Sequence, residues 1–224
     1  MHMAMTPEFE ALARDMVEVQ IRRRGVRDEH VLEAMRQVPR HQFVSTELRS
    51  AAYEDRPLPI GEGQTISQPY IVGVMTEAAR VSPCDKALEI GSGCGYQAAI
   101  LAHLGARVCT VERNPLLAEE SRLRLARLDY KNLEVFTGDG SEGLPAFAPF
   151  DVIIVSAGTP SISPNLLEQL ADGGRLVAPV GGLQQQELLV LRRQAGKITT
   201  HVSGACQFVP LIGKGGWTEE ETRG

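Results

Sequence analysis

Hydrophobic and polar residues follow two different patterns, one in the first 83 residues and another in the rest of the chain. In the first part, apolar residues three or four positions apart predict a helix over residues 7–24 and a second helix that Asp28 caps and Pro39 ends. A third helix is predicted to start at Pro69. Between the second and third helices, residues 55–68 are rich in proline and glycine and predict a long loop, of the kind that usually carries function.

After Lys86, short β-rich runs alternate with helical stretches. This alternation predicts a mostly parallel sheet covered by helices. The predicted strands are residues 87–90, 107–111, 133–136, 151–156 and 175–179, and the predicted helices are residues 96–104, 114–128 and 165–170.

The last part of the chain predicts an antiparallel hairpin, with strands over residues 187–193 and 198–203 joined by a turn at residues 194–197. We therefore expect an α/β fold in a single domain over residues 1–224. Its parts are N-terminal helices with the long loop (6–83), a core (84–182) and C-terminal strands (183–217).

Composition and charge narrow the class of protein. Apolar residues make up 43% of the 224 residues and charged residues 23%, as in an average soluble globular protein. The net charge of −5 provides no field that would attract nucleic acid. Residues 1–10 contain no apolar run, and no aliphatic run is long enough to span a bilayer, so we expect neither a signal peptide nor a membrane span.

The four cysteines stand far apart, without the spacing of a zinc site or a disulfide framework. We therefore expect no metal. Scattered single thiols fit a reducing cytosol, and we expect a cytoplasmic location.

A glycine-rich turn follows directly on the first core strand. Residues 91–95 read Gly-Ser-Gly-Cys-Gly, a GxGxG spacing rather than the GxGxxG of NAD-binding proteins. Glu112 ends the next strand, 21 positions after Gly91, where an acid can accept hydrogen bonds from both hydroxyls of a ribose. Taken singly, these features also fit an ordinary turn and a solvated acid.

A third element completes a pattern. Asp139 and Gly140 follow the third core strand and are predicted to lie at the same edge of the sheet, where Asp139 could accept an adenine amino hydrogen and Gly140 could donate to a ring nitrogen. Together the three elements predict an adenosine pocket without a phosphate-binding motif. S-adenosyl-L-methionine fits such a pocket better than ATP or NAD does.

Four stretches of the chain resemble the protein-L-isoaspartate (D-aspartate) O-methyltransferase family. They are residues 38–44, residues 57–69 with the sequence Gln-Thr-Ile-Ser-Gln-Pro near their end, residues 87–97 with a Gly-Tyr-Gln ending, and residues 208–213. The resemblance extends over about residues 14–217, and Cys94 is its one noted departure, at a place where a smaller residue such as serine is usual. It implies a Rossmann-like methyltransferase fold that uses S-adenosyl-L-methionine.

The resemblance also implies a substrate and site residues. The substrate is a peptide or protein that carries an L-isoaspartyl residue, whose free α-carboxylate is methylated as the first step of repair through a succinimide. By this resemblance, Ser67 corresponds to the active-site serine of the family. Substrate-binding positions fall on Pro59, Ile60, Ser67, Val209, Pro210 and Leu211. The cofactor-binding positions are Thr65, Ile66, Ser67, Gln68, Glu89, Gly91, Ser92, Gly93, Glu112, Asp139 and Gly140.

Physical chemistry leaves alternatives open for this site. Ser67 could equally cap the helix that begins at Pro69. A carboxylate acceptor is already ionised near pH 7, so methyl transfer needs a positioning group rather than a general base. A methyltransferase of the same fold acting on a small molecule or RNA, a non-enzymatic S-adenosyl-L-methionine-binding protein and an NAD-linked dehydrogenase remain alternatives. We expect no nucleic-acid or membrane partner and favour a monomer.

Overall fold

The computed structural model describes residues 5–222. The prediction that residues 1–10 form no signal peptide therefore falls partly outside the described residues. Helix α1 (Pro7–Asp15) continues into a π-helical stretch (Met16–Ile21) and a 3₁₀ turn (Arg22–Arg24) and ends at Gly25, which has a φ of +114°. The predicted helix over residues 7–24 is therefore helical throughout, but only its first nine residues are α-helical. The wider π turn places Met16, Val17 and Ile21 in the core.

Helix α2 (Glu29–Gln37) begins as predicted, because the Asp28 carboxylate accepts hydrogen bonds from the backbone N–H groups of His30 (2.9 Å) and Val31 (3.4 Å). Short 3₁₀ turns follow at Arg40–Phe43 and Thr46–Ala51. Helix α2, the π-helical stretch and the next helix pack together around a cluster of buried apolar side chains.

The prediction of an irregular loop over residues 55–68 is wrong for residues 58–66. Two short strands, β1 (Leu58–Gly61) and β2 (Gln64–Ile66), pair as an antiparallel hairpin whose turn residues Glu62 and Gly63 both have positive φ. Glu-Gly is a weaker turn signal than Asn-Gly, and strands of three or four residues give too short an alternation to detect. Helix α3 (Pro69–Ala79) then starts where predicted.

The core is a seven-stranded sheet with helices α4 (Tyr96–His103), α5 (Pro115–Arg127) and α6 (Pro164–Glu168) between its strands. Its strands are β3 (Lys86–Ile90), β4 (Arg107–Glu112), β5 (Leu133–Thr137), β6 (Phe150–Val155), β7 (Leu170–Gly181), β8 (Gln186–Gln194) and β9 (Lys197–Cys206). The order across the sheet is β5-β4-β3-β6-β7-β8-β9. Strands β3 to β7 pair in parallel, and β8 and β9 form the antiparallel hairpin, as the sequence predicts. Strand β7 also pairs antiparallel with β8.

Strand β7 is longer than predicted, because it begins at Leu170 and not at residue 175. The Asp-Gly-Gly sequence at residues 172–174 is an irregularity inside β7, where the register against β6 shifts and Gly173 has a φ of +81°. Helix α6 accordingly ends at Glu168, two residues earlier than predicted.

The sheet has a fully buried interior strand at its centre. β3 lies between β4 and β6, and its last four residues are buried. The carboxyl ends of β3, β4, β5 and β6 therefore meet at one edge of the sheet, and the loops that leave this edge form the site described below. In the part of the chain that the structure describes, no helix is both long and apolar enough to cross a bilayer.

Candidate active site

A cavity of about 430 Å³ opens at the carboxyl edge of the sheet. Its floor is formed by the glycine loop after β3, its sides by the end of β4 and the loop after β6, and its cover by the β1–β2 hairpin and a segment after β9, residues 208–212, here called the closing segment. The lining residues include Glu62, Gln64, Thr65, Gly91, Gly93, Glu112, Asn114, Gly140, Ser156, Val209, Pro210 and Leu211.

A smaller recess adjoins this cavity and shares Thr65, Gly91, Gly93 and Ser156 with it. Most of the residues predicted for the cofactor line one or both spaces. Ile66, Ser67, Glu89 and Ser92 line the recess, whereas Gln68 and Asp139 line neither space. Of the residues predicted for the substrate, Pro59 and Ile60 line neither space and lie in β1 beside it.

The glycine loop needs its glycines for conformation and for space. Gly91, Gly93 and Gly95 all have positive φ, which side-chain-bearing residues rarely adopt. A Cβ on Gly95 would also lie 2.9 Å from Leu125, and one on Gly93 would lie 3.1 Å from Ile60. The loop can therefore bring its backbone close to a ligand while the β1–β2 hairpin packs against its other side.

Glu112 fixes this loop and keeps acceptor capacity for a ligand. One oxygen of its buried carboxylate accepts a hydrogen bond from the Gly93 N–H (2.8 Å) and the other accepts one from the Asn114 N–H (2.9 Å). Each carboxylate oxygen has a second lone pair, so hydroxyl groups in the cavity can still donate to Glu112.

Glu89 is a fully buried acid next to the recess. Its carboxyl group accepts hydrogen bonds from the hydroxyls of Thr110 (2.7 Å) and Ser156 (3.1 Å). Burial raises the pKa of Glu89 to about 7, and the negative charge of Glu112 adds to the rise. A cation placed in the recess would stabilise its ionised form.

Asp139 and Gly140 lie at the end of β5 but face different spaces. Gly140 lines the main cavity, and a Cβ there would lie 2.5 Å from Ile90. The Asp139 carboxylate accepts hydrogen bonds from Ser141 N–H (3.0 Å), Ser141 O–H (2.6 Å) and Lys214 N–H (2.8 Å), and it lines a neighbouring cavity. Burial opposes ionisation of Asp139, but these hydrogen bonds outweigh it and lower its pKa below the usual value.

Ser67 does not cap α3, so the helix-cap alternative is wrong. The cap position is Gln68, and Asp55 supplies the acceptor: its carboxylate receives hydrogen bonds from the Tyr70 N–H (3.3 Å) and the Gln68 amide (2.9 Å). Within residues 5–222, the Ser67 hydroxyl has no hydrogen-bond partner. It is therefore available to a ligand in the recess.

The closing segment is held by backbone pairing to the loop after β6. Gly158 N–H donates to Val209 O (2.8 Å) and Leu211 N–H donates to Gly158 O (2.7 Å), with Pro210 between them in a single bridge. A proline fits this position, because the bridge uses the Val209 carbonyl and the Leu211 N–H, so the missing N–H of Pro210 leaves no bond unmade. The buried Gln186 amide accepts from the Phe208 N–H (2.8 Å) and fixes the start of the segment.

Several residues at or near the site were not predicted from the sequence. Gln64, Asn114 and Ser156 line the main cavity. Arg40 and Gln186 are bonded to Ser67 and Phe208, which line the recess. Asn114 carries a recognisable signal only for its role at the start of α5, where its side chain accepts from Leu116 and Leu117. Arg40 lies in one of the stretches that carry the family resemblance, but sequence alone gives no contact for it.

Comparison with known proteins agrees with this geometry. Residues 11–216 match the family described as protein-L-isoaspartate(D-aspartate) O-methyltransferase. A protein-L-isoaspartate O-methyltransferase from Methanoculleus marisnigri is 55% identical over 92% of this chain and 94% of its own length, and one from Koribacter versatilis is 52% identical over 96% and 99%.

Among solved structures, a protein-L-isoaspartate O-methyltransferase superposes with a TM-score of 0.82 at 28% identity, covering 91% of this chain and 67% of its own. A Plasmodium falciparum protein of the same name, in complex with S-adenosyl-L-homocysteine, gives a TM-score of 0.78 at 25% identity, with 89% and 98% covered. With a sequence and a fold that agree along nearly its whole length, the chain belongs to the protein-L-isoaspartate (D-aspartate) O-methyltransferase family.

Proposed function

We propose that the protein transfers a methyl group from S-adenosyl-L-methionine to the free α-carboxylate of L-isoaspartyl residues in damaged peptides and proteins. The ester formed closes to a succinimide, which starts repair. The observation that carries this proposal is that a cavity suited to adenosine joins a recess in which the hydroxyl of Ser67 has no partner within residues 5–222. Family membership over residues 11–216 supports it.

The residues around the cavity fit a nucleoside with a cationic tail. Glu112 has free lone pairs for the ribose hydroxyls, and Gly91 and Gly93 allow close approach of the ligand to the backbone. Glu89, at the recess, suits a positively charged group of S-adenosyl-L-methionine, such as the ammonium of its amino acid end. Thr65, Ile66, Ser92 and Gly140 line the same two spaces and belong to the proposed cofactor site. Gln68 and Asp139 line neither space and are assigned to this site by the family resemblance alone. When bound, the cofactor supplies an electrophilic methyl group on a sulfonium.

Ser67 orients the acceptor in this proposal. Its hydroxyl donates one hydrogen bond to the carboxylate and holds an oxygen in line with the methyl carbon. The oxygen uses its own electron pair to form the ester bond, and the pair of the broken carbon–sulfur bond stays on sulfur. No proton moves in this step, so Ser67 acts by position alone.

The surroundings of Ser67 suit a reaction without a general base. Among the described residues, no histidine lines the cavity or the recess. The nearby His41 is stacked on Phe9 (3.8 Å between ring centroids) and bonds the Tyr53 hydroxyl through Nδ1 (2.8 Å). Burial, together with the charge of Arg49, lowers the pKa of His41 to about 4, so its ring is neutral at pH 7.

The peptide is proposed to lie between β1 and the closing segment, beside Pro59, Ile60, Val209, Pro210 and Leu211. Backbone contacts suit a substrate whose sequence varies, because they do not depend on side chains. The proposal also includes that the protein is a monomer, that it is located in the cytoplasm and that it has no nucleic-acid partner. The four cysteines are all unpaired, which supports a reducing compartment.

One experiment tests the activity directly. The protein is incubated with S-adenosyl-L-methionine carrying a labelled methyl group and with two peptides that differ only in an isoaspartyl or an aspartyl residue. Base-labile label on the isoaspartyl peptide alone is expected. Equal labelling of both peptides, or label that resists base, would contradict a carboxyl methyltransferase specific for isoaspartate.

A further inference from the structure

Arg40 is a fully buried arginine, with 0% of its surface exposed, at the start of the 3₁₀ turn Arg40–Phe43. Within residues 5–222 no carboxylate forms an ion pair with it. Removing a guanidinium from water without a counter-ion costs free energy of folding. A protein with an apolar residue of similar volume in the same place is often equally stable or more stable. The contacts of Arg40 therefore suggest a task other than stabilising the fold.

Two of its nitrogens are bound to carbonyl oxygens from different segments. Nε donates to Ala52 O (2.7 Å) and Nη2 donates to Ser67 O (2.6 Å). The guanidinium carbon lies 4.8 Å from the centre of the Tyr96 ring, and Tyr96 lines the same recess as Ser67. The remaining nitrogen, Nη1, is buried without a hydrogen-bond partner among the described residues.

These contacts clamp the backbone of Ser67. The carbonyl of Ser67 belongs to the peptide plane that leads into Gln68. On the C-terminal side of Ser67, the Asp55 carboxylate accepts hydrogen bonds from the Gln68 side-chain amide and from the Tyr70 N–H. On its N-terminal side, Ile66 pairs with Leu58 in the β1–β2 hairpin. With the backbone held from both sides, the Cα–Cβ bond of Ser67 has one direction, and its hydroxyl can sample only three rotamers. A planar fork with donors at fixed angles holds two carbonyls at once, which a lysine ammonium on a flexible stem does not.

We propose that Arg40 is a positioning residue for methyl transfer, which holds the Ser67 backbone so that the Ser67 hydroxyl points at the acceptor carboxylate. This inference rests on the proposed function, since it assumes that the Ser67 hydroxyl orients the acceptor. It assigns a role to the stretch at residues 38–44, which the sequence singles out and the proposed reaction does not otherwise use.

A double-mutant cycle tests the inference. Arg40→Lys, Ser67→Ala and the double variant are compared with the unmodified protein in kcat and in KM for an isoaspartyl peptide at saturating S-adenosyl-L-methionine. Arg40→Lys is expected to lower kcat by about 10- to 100-fold in the presence of Ser67 and by less than about threefold in its absence. The melting temperature of each variant is measured alongside. Arg36→Lys, on the neighbouring helix and paired with Glu18 and Glu33, is the matched control and should leave kcat unchanged.

The outcomes separate this inference from the proposed function. Equal losses of kcat with and without Ser67, or no loss in Arg40→Lys, would overturn the positioning role while leaving the proposed function intact. Full activity in Ser67→Ala would instead remove the role proposed for Ser67. Should Arg40→Lys fail to fold, Arg40→Met takes its place in the cycle, because it removes the buried charge and retains the stem. Failure of both variants to fold would make Arg40 a stability residue and overturn the inference.

Discussion

Glu112 has one lone pair in use on each carboxylate oxygen, for Gly93 and for Asn114. In Glu112→Gln, an NH₂ group would face one of these N–H donors, and a charge-assisted acceptor for the ribose would be lost. We expect Glu112→Gln to weaken S-adenosyl-L-methionine binding by about 1.5–3 kcal/mol, measured by calorimetric titration. Glu62→Gln is the control, because Glu62 lines the same cavity from the exposed hairpin turn and should matter little. Unchanged affinity in Glu112→Gln would show that Glu112 holds the glycine loop but does not bind the cofactor.

The variant Ser67→Ala tests whether the Ser67 hydroxyl orients the acceptor or instead stabilises the folded protein. The hydroxyl makes no hydrogen bond within residues 5–222, and Asp55 serves as the acceptor at the start of α3, so its removal should hardly change the melting temperature. Turnover should fall by about 10- to 1,000-fold, equivalent to about 1.4–4 kcal/mol of lost positioning. Ser203→Ala, at an exposed serine of the edge strand β9, is the control for both measurements. A lower melting temperature with unchanged turnover would rule out the proposed role.

We expect Glu89 to make cofactor binding depend on pH. With a pKa of about 7 in the folded protein against 4.5 for an ordinary glutamate, its carboxyl is protonated in much of the free protein at pH 6.5. A raised pKa means that the group favours folding below about pH 4.5 and that this contribution is lost as pH rises through about 7. A bound cation favours the ionised form, so affinity for S-adenosyl-L-methionine should rise between about pH 6 and 8.

The measurement is calorimetric titration below pH 7 in buffers with different enthalpies of ionisation. Release of a proton from Glu89 makes the observed heat depend on the buffer. Glu89→Gln is the matched control, since its amide cannot titrate. Identical heats in all buffers for the unmodified protein would show that Glu89 does not change its protonation on binding.

At the scale of elements, the closing segment depends on Gln186 at the start of β8. Gln186 is 2% exposed and accepts from the Phe208 N–H, so Gln186→Met leaves that donor buried without a partner. We expect a loss of about 1–3 kcal/mol in the free energy of unfolding and a raised KM for the isoaspartyl peptide, from denaturant titration and steady-state kinetics. Gln185→Met, at the exposed neighbour, should change neither quantity. A loss of stability with an unchanged KM would show that the closing segment does not take part in binding the peptide.

The elements of the core could be predicted because burial and backbone conformation restrict which residue types each element can contain. Strand β3 reads as a short apolar run since both of its faces are covered, and the glycine loop reads as a turn since three residues need positive φ. The β1–β2 hairpin could not be predicted, because Leu58–Gly61 and Gln64–Ile66 are too short to show a period. The π-helical stretch keeps the helical spacing of its apolar residues, so its different hydrogen bonding leaves no mark in the sequence.

At the scale of the whole molecule, the alternation of strands and helices and the family resemblance were enough to predict the sheet and the edge at which the cavity opens. Most of the residues predicted for the cofactor line the cavity or the recess, although they are fewer than half of the residues that line these spaces. Contacts between distant segments could not be predicted. Arg40 meets Ser67 across 27 positions and Gln186 meets Phe208 across 22, and neither pair has a spacing that a local rule would notice. Asp139 shows the same limit, because its place next to Lys214 depends on a segment 75 positions away.

The closing segment has a consequence for how a large substrate enters. It is attached by isolated hydrogen bonds, at Gly158, at Gln186 and from the Trp217 N–H to Leu211 O (2.8 Å), and not by a continuous ladder such as the one that joins β7 to β8. Structure held in this way opens locally at a lower free energy than the sheet unfolds. The amide protons of Gly158 and Leu211 should therefore exchange with solvent in brief openings that leave the central strands protected. A folded protein with one damaged residue could then be admitted by the movement of a few residues, while the strands beneath the proposed cofactor cavity stay paired.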